Sequence, residues 1–220
     1  MPGILYVNGD SHSYGYDAGG KDYAYGKYVA DALGYDYVCD AVSACSNDSI
    51  IDRTLKYFDS QTPDLIIIGW STWERETWYW QNQTYHVTAS GFDTVHPQLQ
   101  DRYKKWVIDN CDPEYQQFKE LQNHSKIYHF HQFLSNHNIK HLFFNCYNHF
   151  FYTAEYNKSK FDWANSYIDP YDENFTYYYW LKNMGYKPAN PKFYHYGTDA
   201  HQAWANFILP KVQMLLTANE

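Results

Sequence analysis

The residues best suited to chemistry sit near the two ends of this chain. Ser11 closes the run Ile4-Leu5-Tyr6-Val7-Asn8-Gly9-Asp10, and His195 and His201 bracket the late stretch His195-Tyr196-Gly197-Thr198-Asp199-Ala200-His201. A serine hydroxyl is a weak nucleophile until an imidazole takes its proton. A serine supplied early and a histidine supplied late therefore suggest nucleophilic acyl chemistry. The dipeptide Asp10-Ser11 equally suits a helix start, where a short polar side chain accepts the first free amides.

A serine can act this way only if the backbone presents it. Residues 4–7 have strand length and β-branched content, and Gly9 allows a sharp turn after them. That places Ser11 at the carboxyl edge of a sheet, where α/β folds bind ligands. Further along, the pattern predicts a helix over 23–33 ended by Gly34, and a short strand over 35–39. A second helix covers 48–58, with Ile50, Ile51, Leu55 and Phe58 on one face and Asn47 or Asp48 as its cap. Pro63-Asp64 introduces Leu65-Ile66-Ile67-Ile68-Gly69, the clearest buried parallel strand. A long helix over 114–136, a strand over 139–146, a short helix over 180–184 and a closing helix over 202–216 complete the alternation. Such alternation predicts one α/β domain spanning 1–220, with a parallel sheet between helical layers.

Two segments break the alternation. Residues 73–110 and 147–180 are rich in Trp and Tyr with weak periodicity, apart from some helix expected over 97–107. They are too apolar for solvated loops and too irregular for a second core. The expectation is that they fold over the sheet's carboxyl edge and wall the Ser11 cleft, or make a subunit interface in a homo-oligomer.

Four blocks, in order along the chain, resemble those of the SGNH or GDSL-like hydrolases, a family of esterases, lipases and carbohydrate deacetylases. Val7-Asn8-Gly9-Asp10-Ser11 resembles the nucleophile block and implies Ser11 as nucleophile. Residues 41–50, Ala41-Val42-Ser43-Ala44-Cys45-Ser46-Asn47-Asp48-Ser49-Ile50, resemble the block that gives an oxyanion-hole glycine, with Ala44 in the glycine position. Ile66-Ile67-Ile68-Gly69-Trp70-Ser71-Thr72 resembles the Gly-x-Asn-Asp block, with Ser71 where the oxyanion asparagine belongs. The stretch from His195 to His201, followed by Gln202-Ala203-Trp204-Ala205, resembles the terminal block that carries the catalytic histidine. The resemblance implies a three-layer α/β/α sandwich of flavodoxin-like type and a serine ester hydrolase, with an O-acetyl group on a glycan as the favoured substrate. No cofactor is implied.

The chain departs from that pattern at two functional positions. The family acid lies three residues before the catalytic histidine, but Lys192 and Thr198 occupy those positions for His195 and His201. His195 is preferred as base and His201 as the family's second histidine. Asp199 then supports an imidazole from an unusual direction or caps the closing helix, and a Ser–His dyad held by a backbone carbonyl is the remaining arrangement. The missing asparagine leaves the amides of Ser11 and Ala44, with Asn47 or Ser71 as side-chain donor. Residues 69–75, ending in Glu74-Arg75, resemble a variant associated with viral, especially tailed-phage, genomes. There Arg75 replaces part of the polar network and serves substrate binding or site structure, or else pairs with a Glu at a helix start; Asp10 is counted with Ala44, Asn47, Ser71 and Arg75 among the oxyanion or substrate-binding residues. The second function class is a non-catalytic relative, a binding or virion-associated structural module.

Composition narrows the partners. Aromatic residues make up 21% of the chain, with 25 Tyr, 13 Phe and 8 Trp, a surplus that suits a cleft gripping sugars, aromatic groups or another protein. The net charge of -8 disfavours nucleic acid, and the 17 Lys and Arg are too scattered for an anionic membrane surface. No apolar stretch reaches the roughly 18 residues of a membrane span, and no secretory signal pattern opens the chain. Cys39, Cys45, Cys111 and Cys146 lack metal or disulfide spacing, which fits a reducing cytosol or a protein carried on a particle. His129 and His131 lie two apart on a helix and face different ways, so they do not share a metal. The run Tyr177-Tyr178-Tyr179-Trp180 is either a sugar platform or core packing.

Overall fold

Alternation along strand β1 (Ile4–Gly9) feeds two different cores. Leu5 and Val7 enter one, and Tyr6 enters the other. A computed structural model describes residues 2–157, 160–190 and 192–217 of the chain. In it β1 lies between β2 (Asp36–Cys39) and β3 (Leu65–Trp70), with β6 (His141–Asn145) beyond, in the order β2-β1-β3-β6 and all parallel. The apolar runs of β3 and β6 are buried throughout, as a sheet covered on both faces requires.

The first layer is α2 (Tyr25–Leu33), α7 (Tyr177–Asn183) and α8 (Thr198–Thr217). Val29, Ala30, Leu181, Trp204, Ile208 and Val212 meet Leu5, Val7, Ile67 and Phe144 there. The second layer is α3 (Asn47–Phe58) and α5 (Pro113–Asn136), whose Ile50, Ile127, Phe130 and Leu134 pack on Tyr6, Ile66, Ile68 and Phe143. This is the α/β/α sandwich the alternation predicts. One polar tie crosses the second core. The buried Asn8 amide donates to Ile50 O at 3.1 Å and to Thr54 Oγ1 at 3.0 Å, fixing α3 to β1. Ser46, rather than Asn47 or Asp48, caps α3, accepting from the Ser49 amide. No helix among the described residues is long and apolar enough to cross a membrane.

The segment 73–110 is more ordered than its sequence suggests. Strands β4 (Glu76–Trp80) and β5 (Gln83–Val87) form a hairpin, followed by α4 (Gln100–Asp109). Trp78, Val87, Val95, Leu99, Tyr103 and Trp106 make a small core of their own. The expectation that this segment is too irregular for a second core is therefore corrected. Its apolar residues come from a hairpin and a helix with different periods, so no single period shows in the sequence. Within 147–180 lie α6 (Phe151–Asn157) and the first turn of α7, which runs on to Asn183. Tyr177 and Tyr178 are buried in the first core, so that aromatic run begins as core packing rather than a sugar platform. Strands β7 (Pro188–Asn190) and β8 (His195–Tyr196) pair antiparallel and lead into α8.

Candidate active site

Two glycines facing each other across the sheet make the site. Gly9 and Gly69 are register partners at the carboxyl ends of β1 and β3. Gly9 has φ +149, and a Cβ there would meet Ser13 Oγ at 2.2 Å and Gly69 O at 2.6 Å. Their bareness lets the single-turn helix α1 (Ser11–Tyr14) sit directly on the sheet edge. Asp10 caps that turn, its Oδ1 accepting from the His12 amide at 2.9 Å, so the capping reading of Asp10-Ser11 holds alongside the presentation of Ser11.

Ser11 Oγ lies 2.9 Å from His195 Nε2. On the other side of the same ring, His195 Nδ1 lies 2.9 Å from Asp17 Oδ2. Serine, imidazole and carboxylate thus form one hydrogen-bonded line. Ser11 is 4% exposed and His195 8%. The carboxylate at the imidazole belongs to Asp17 and not to Asp199, which is exposed in the first turn of α8. Asp17 reaches inward because its loop turns through left-handed backbone at Gly15 (φ 75), Asp17 (φ 64), Gly19 (φ 102) and Gly20 (φ 94). A hydrogen bond from Thr198 Oγ1 to Ala18 O, 3.0 Å, pins that loop to the start of α8. The one legible signal for Asp17 is an acidic residue inside a glycine-rich loop just past the serine.

His201 lies beneath this line. Its Nδ1 accepts from the Tyr25 amide at 3.3 Å, and its ring nitrogens contact Tyr177 OH at 3.2 and 3.3 Å. Burial, with His12 and His195 nearby, pushes its pKa down to about 3, so it stays neutral. His12 stands edge-on to His195 with ring centroids 5.1 Å apart. Its Nδ1 is buried without a hydrogen-bond partner among the described residues, and burial brings its pKa to about 4, with His195 and Arg75 lowering it and Asp10 opposing.

Ser71 and Arg75 both converge on Asp10. Arg75 Nη1 donates to Asp10 Oδ2 at 2.9 Å and to Ser71 Oγ at 2.8 Å, while Ser71 Oγ donates to Asp10 Oδ2 at 3.2 Å. Arg75 therefore pairs with Asp10 and not with a glutamate at a helix start. Burial alone would raise the Asp10 carboxyl, yet its partners hold it below the usual carboxylate range. Since His12 is uncharged above about pH 4, the cation responsible at neutral pH is Arg75. Asn47 does not offer a free amide. Its Oδ1 accepts from Ser71 N at 2.8 Å and its Nδ2 donates to Ser71 O at 3.0 Å, so it braces the Ser71 backbone in both directions. Ala44 has φ 62, the left-handed region that favours glycine, at a cost of roughly 1 kcal/mol. Among the described residues, neither the Ser11 nor the Ala44 amide donates to another backbone group.

A cleft of about 530 Å³ opens beside this cluster. Its lining includes Asp10, His12 and Arg75 from the cluster, with Trp106, Asn110, Tyr147, Phe193 and Tyr194. Both aromatic segments, 73–110 and 147–180, contribute lining to this cleft, which Asp10 and His12 border but which Ser11 and His195 do not line.

No protein-family model matches the sequence, and no curated protein does either. Solved structures share its architecture. The crystal structure of TesA aligns over 96% of this chain and 99% of that one at 14% identity, with a TM-score of 0.52. A protein assigned to the G-D-S-L family of lipolytic proteins, from Desulfitobacterium hafniense DCB-2, aligns over 94% and 98% at 8% identity, with a TM-score of 0.44. An acetyl xylan esterase, Est2A, from the rumen bacterium Butyrivibrio proteoclasticus aligns over 97% of this chain at 13% identity and a TM-score of 0.48. This chain spans 66% of that esterase. At such identities the likeness is one of fold alone, and the chain shares the architecture of TesA over nearly its whole length.

Proposed function

We propose that this chain is a serine esterase that removes a short acyl group, an O-acetyl, from a glycan. The observation that carries the reading is the line Ser11 Oγ, His195 Nε2, His195 Nδ1, Asp17 Oδ2, with both contacts at 2.9 Å. Ser11 Oγ attacks the ester carbonyl as His195 Nε2 takes its proton. Asp17 accepts from Nδ1–H, which fixes the tautomer and steadies the imidazolium. The Ser11 and Ala44 amides hold the oxyanion, with Arg75 bringing positive charge to the nucleophile loop. The sugar oxygen leaves with the proton from His195, and water then releases acetate from the acyl-serine by the same steps reversed. The carbohydrate side of the proposal draws on the aromatic cleft, whose rings can stack on sugars while their polar tips hydrogen-bond.

The test is hydrolysis of p-nitrophenyl acetate and labelling by a fluorophosphonate. Both are expected for the native chain, and Ser11→Ala abolishes both. Survival of either in that variant points to another nucleophile. One observation favours a second reading. Phe193 lies over His195 at 6.2 Å and Tyr16 at 5.4 Å, and Ser11 is almost wholly covered. In that reading the fold persists as a binding or virion structural module, and the native chain takes up no label.

A further inference from the structure

On the esterase reading the oxyanion rests on the amides of Ser11 and Ala44, and neither side chain expected to join them is free. Ser71 Oγ donates its hydrogen to Asp10 Oδ2 and accepts from Arg75 Nη1. The Asn47 amide gives its two hydrogens to Ser71 O at 3.0 Å and to Asn123 Oδ1 at 3.2 Å. A third donor has to come from elsewhere.

His12 follows the nucleophile directly and joins the cleft to the catalytic line. It lines the cleft, and its ring stands edge-on to His195 with centroids 5.1 Å apart and 5.5 Å from Tyr177. Its backbone amide serves the Asp10 cap, but its ring makes no hydrogen bond among the described residues. Nδ1 is enclosed, whereas Nε2 is not. A neutral imidazole carries one hydrogen. On Nδ1 it would be a buried N–H without an acceptor, a rarer fault than a lone pair without a donor. The hydrogen therefore belongs on Nε2, the nitrogen that a ligand in the cleft can reach. Burial keeps the ring neutral, with a pKa of about 4. A neutral donor polarises a carbonyl without placing a second positive charge beside His195 as that ring takes the serine proton. Two further cleft residues, Thr72 and Trp106, also carry a buried polar atom without a partner among the described residues, Oγ1 and Nε1. The indole can only donate, so this cleft suits a ligand rich in oxygen acceptors.

We infer that His12 is a third oxyanion donor, its Nε2–H lying against the ester carbonyl oxygen in place of the side-chain amide that Asn47 and Ser71 do not supply. The bond tightens when Ser11 Oγ has attacked and the oxygen carries charge. No proton leaves His12; that of Ser11 goes to His195 Nε2. The inference rests on the esterase reading and adds to it a catalytic residue outside the four sequence blocks.

The test is p-nitrophenyl acetate hydrolysis by His12→Leu, His12→Gln and His12→Asn beside the native chain. His12→Leu is expected to lower kcat/KM by on the order of 10², carried by kcat, with KM within about threefold. The amide nitrogen of Gln can take the position of Nε2, and that of Asn the position of Nδ1. His12→Gln is therefore expected to recover at least tenfold over His12→Leu, and His12→Asn is not. Inhibition by phenylboronic acid, whose serine adduct carries an oxygen in the oxyanion position, is expected to weaken in step with kcat/KM, which a merely structural ring would not cause. The inference is overturned if His12→Leu keeps kcat/KM within about threefold of native, or if His12→Asn recovers as much as His12→Gln. Should His12→Leu fail to fold, as judged by circular dichroism, the comparison of Gln with Asn decides. A native chain that neither hydrolyses the ester nor takes up a fluorophosphonate overturns the esterase reading and this inference with it. An active native chain indifferent to His12 overturns this inference alone.

Discussion

Asp17 approaches the imidazole from the nucleophile's own loop, six positions past the serine, and its side chain is 26% exposed. Its replacement is the sharpest probe of the proposed triad. Asp17→Asn should preserve the fold, leave His195 in the wrong tautomer and lower kcat on p-nitrophenyl acetate by on the order of 10³–10⁴. Asp199→Asn should leave kcat within about twofold, since that side chain does not touch the imidazole. A reversal of these two results would return the acid to the closing helix. Ser11 and His195 were readable as partners from residue type and the blocks around them. Asp17 was not, because its approach depends on four left-handed backbone positions, and φ is not written in a side-chain pattern. The same holds for Arg75, whose pairing with Asp10 joins residues 65 positions apart.

The elements explain why the nucleophile loop has so little freedom. Asn47, one residue into α3, holds both backbone groups of Ser71 at the end of β3, and Ser71 in turn contacts Asp10. Asn47→Ala strands a buried N–H and a buried C=O. A loss of about 2–4 kcal/mol is expected, read as a lower urea midpoint, together with a fall in kcat as Asp10 loosens. Gly9→Ala forces a Cβ onto Ser13 Oγ in a backbone conformation closed to L-residues. It should cost about 3 kcal/mol or more and appear as insoluble or molten protein. Most of the sandwich was legible here, since β1, β3 and β6 announce themselves as apolar runs and Gly34 stops α2 where expected. The β4–β5 hairpin was not. Its turn residues, Gln81 and Asn82, adopt φ 47 and 62 without the Asn-Gly signature that marks such turns.

For the molecule as a whole, the buried imidazoles set a floor on pH. Burial brings His12, His124 and His141 to about 4 and His201 to about 3. The unfolded chain titrates near 6.5, so between these values it binds protons the folded chain refuses. Stability is therefore complete above about pH 6.5 and is lost as the pH falls toward 4, one such shift being worth on the order of 3 kcal/mol. Circular dichroism against pH should show unfolding within that window, before the carboxylates titrate, and a chain still folded at pH 4 would contradict it. The distance along the chain between Ser11 and His195, 184 positions, has a further effect during synthesis. The proposed nucleophile, Ser11, and its proposed acid, Asp17, emerge early, yet on that proposal nothing can draw off the serine proton until β8 has paired and α8 has docked against α2. On the proposed mechanism a nascent chain is thus chemically silent until residue 195 and the helix after it have emerged and docked. Labelling by a fluorophosphonate would time-stamp the last docking event, and translation halted before residue 195 should yield protein that never takes up the label.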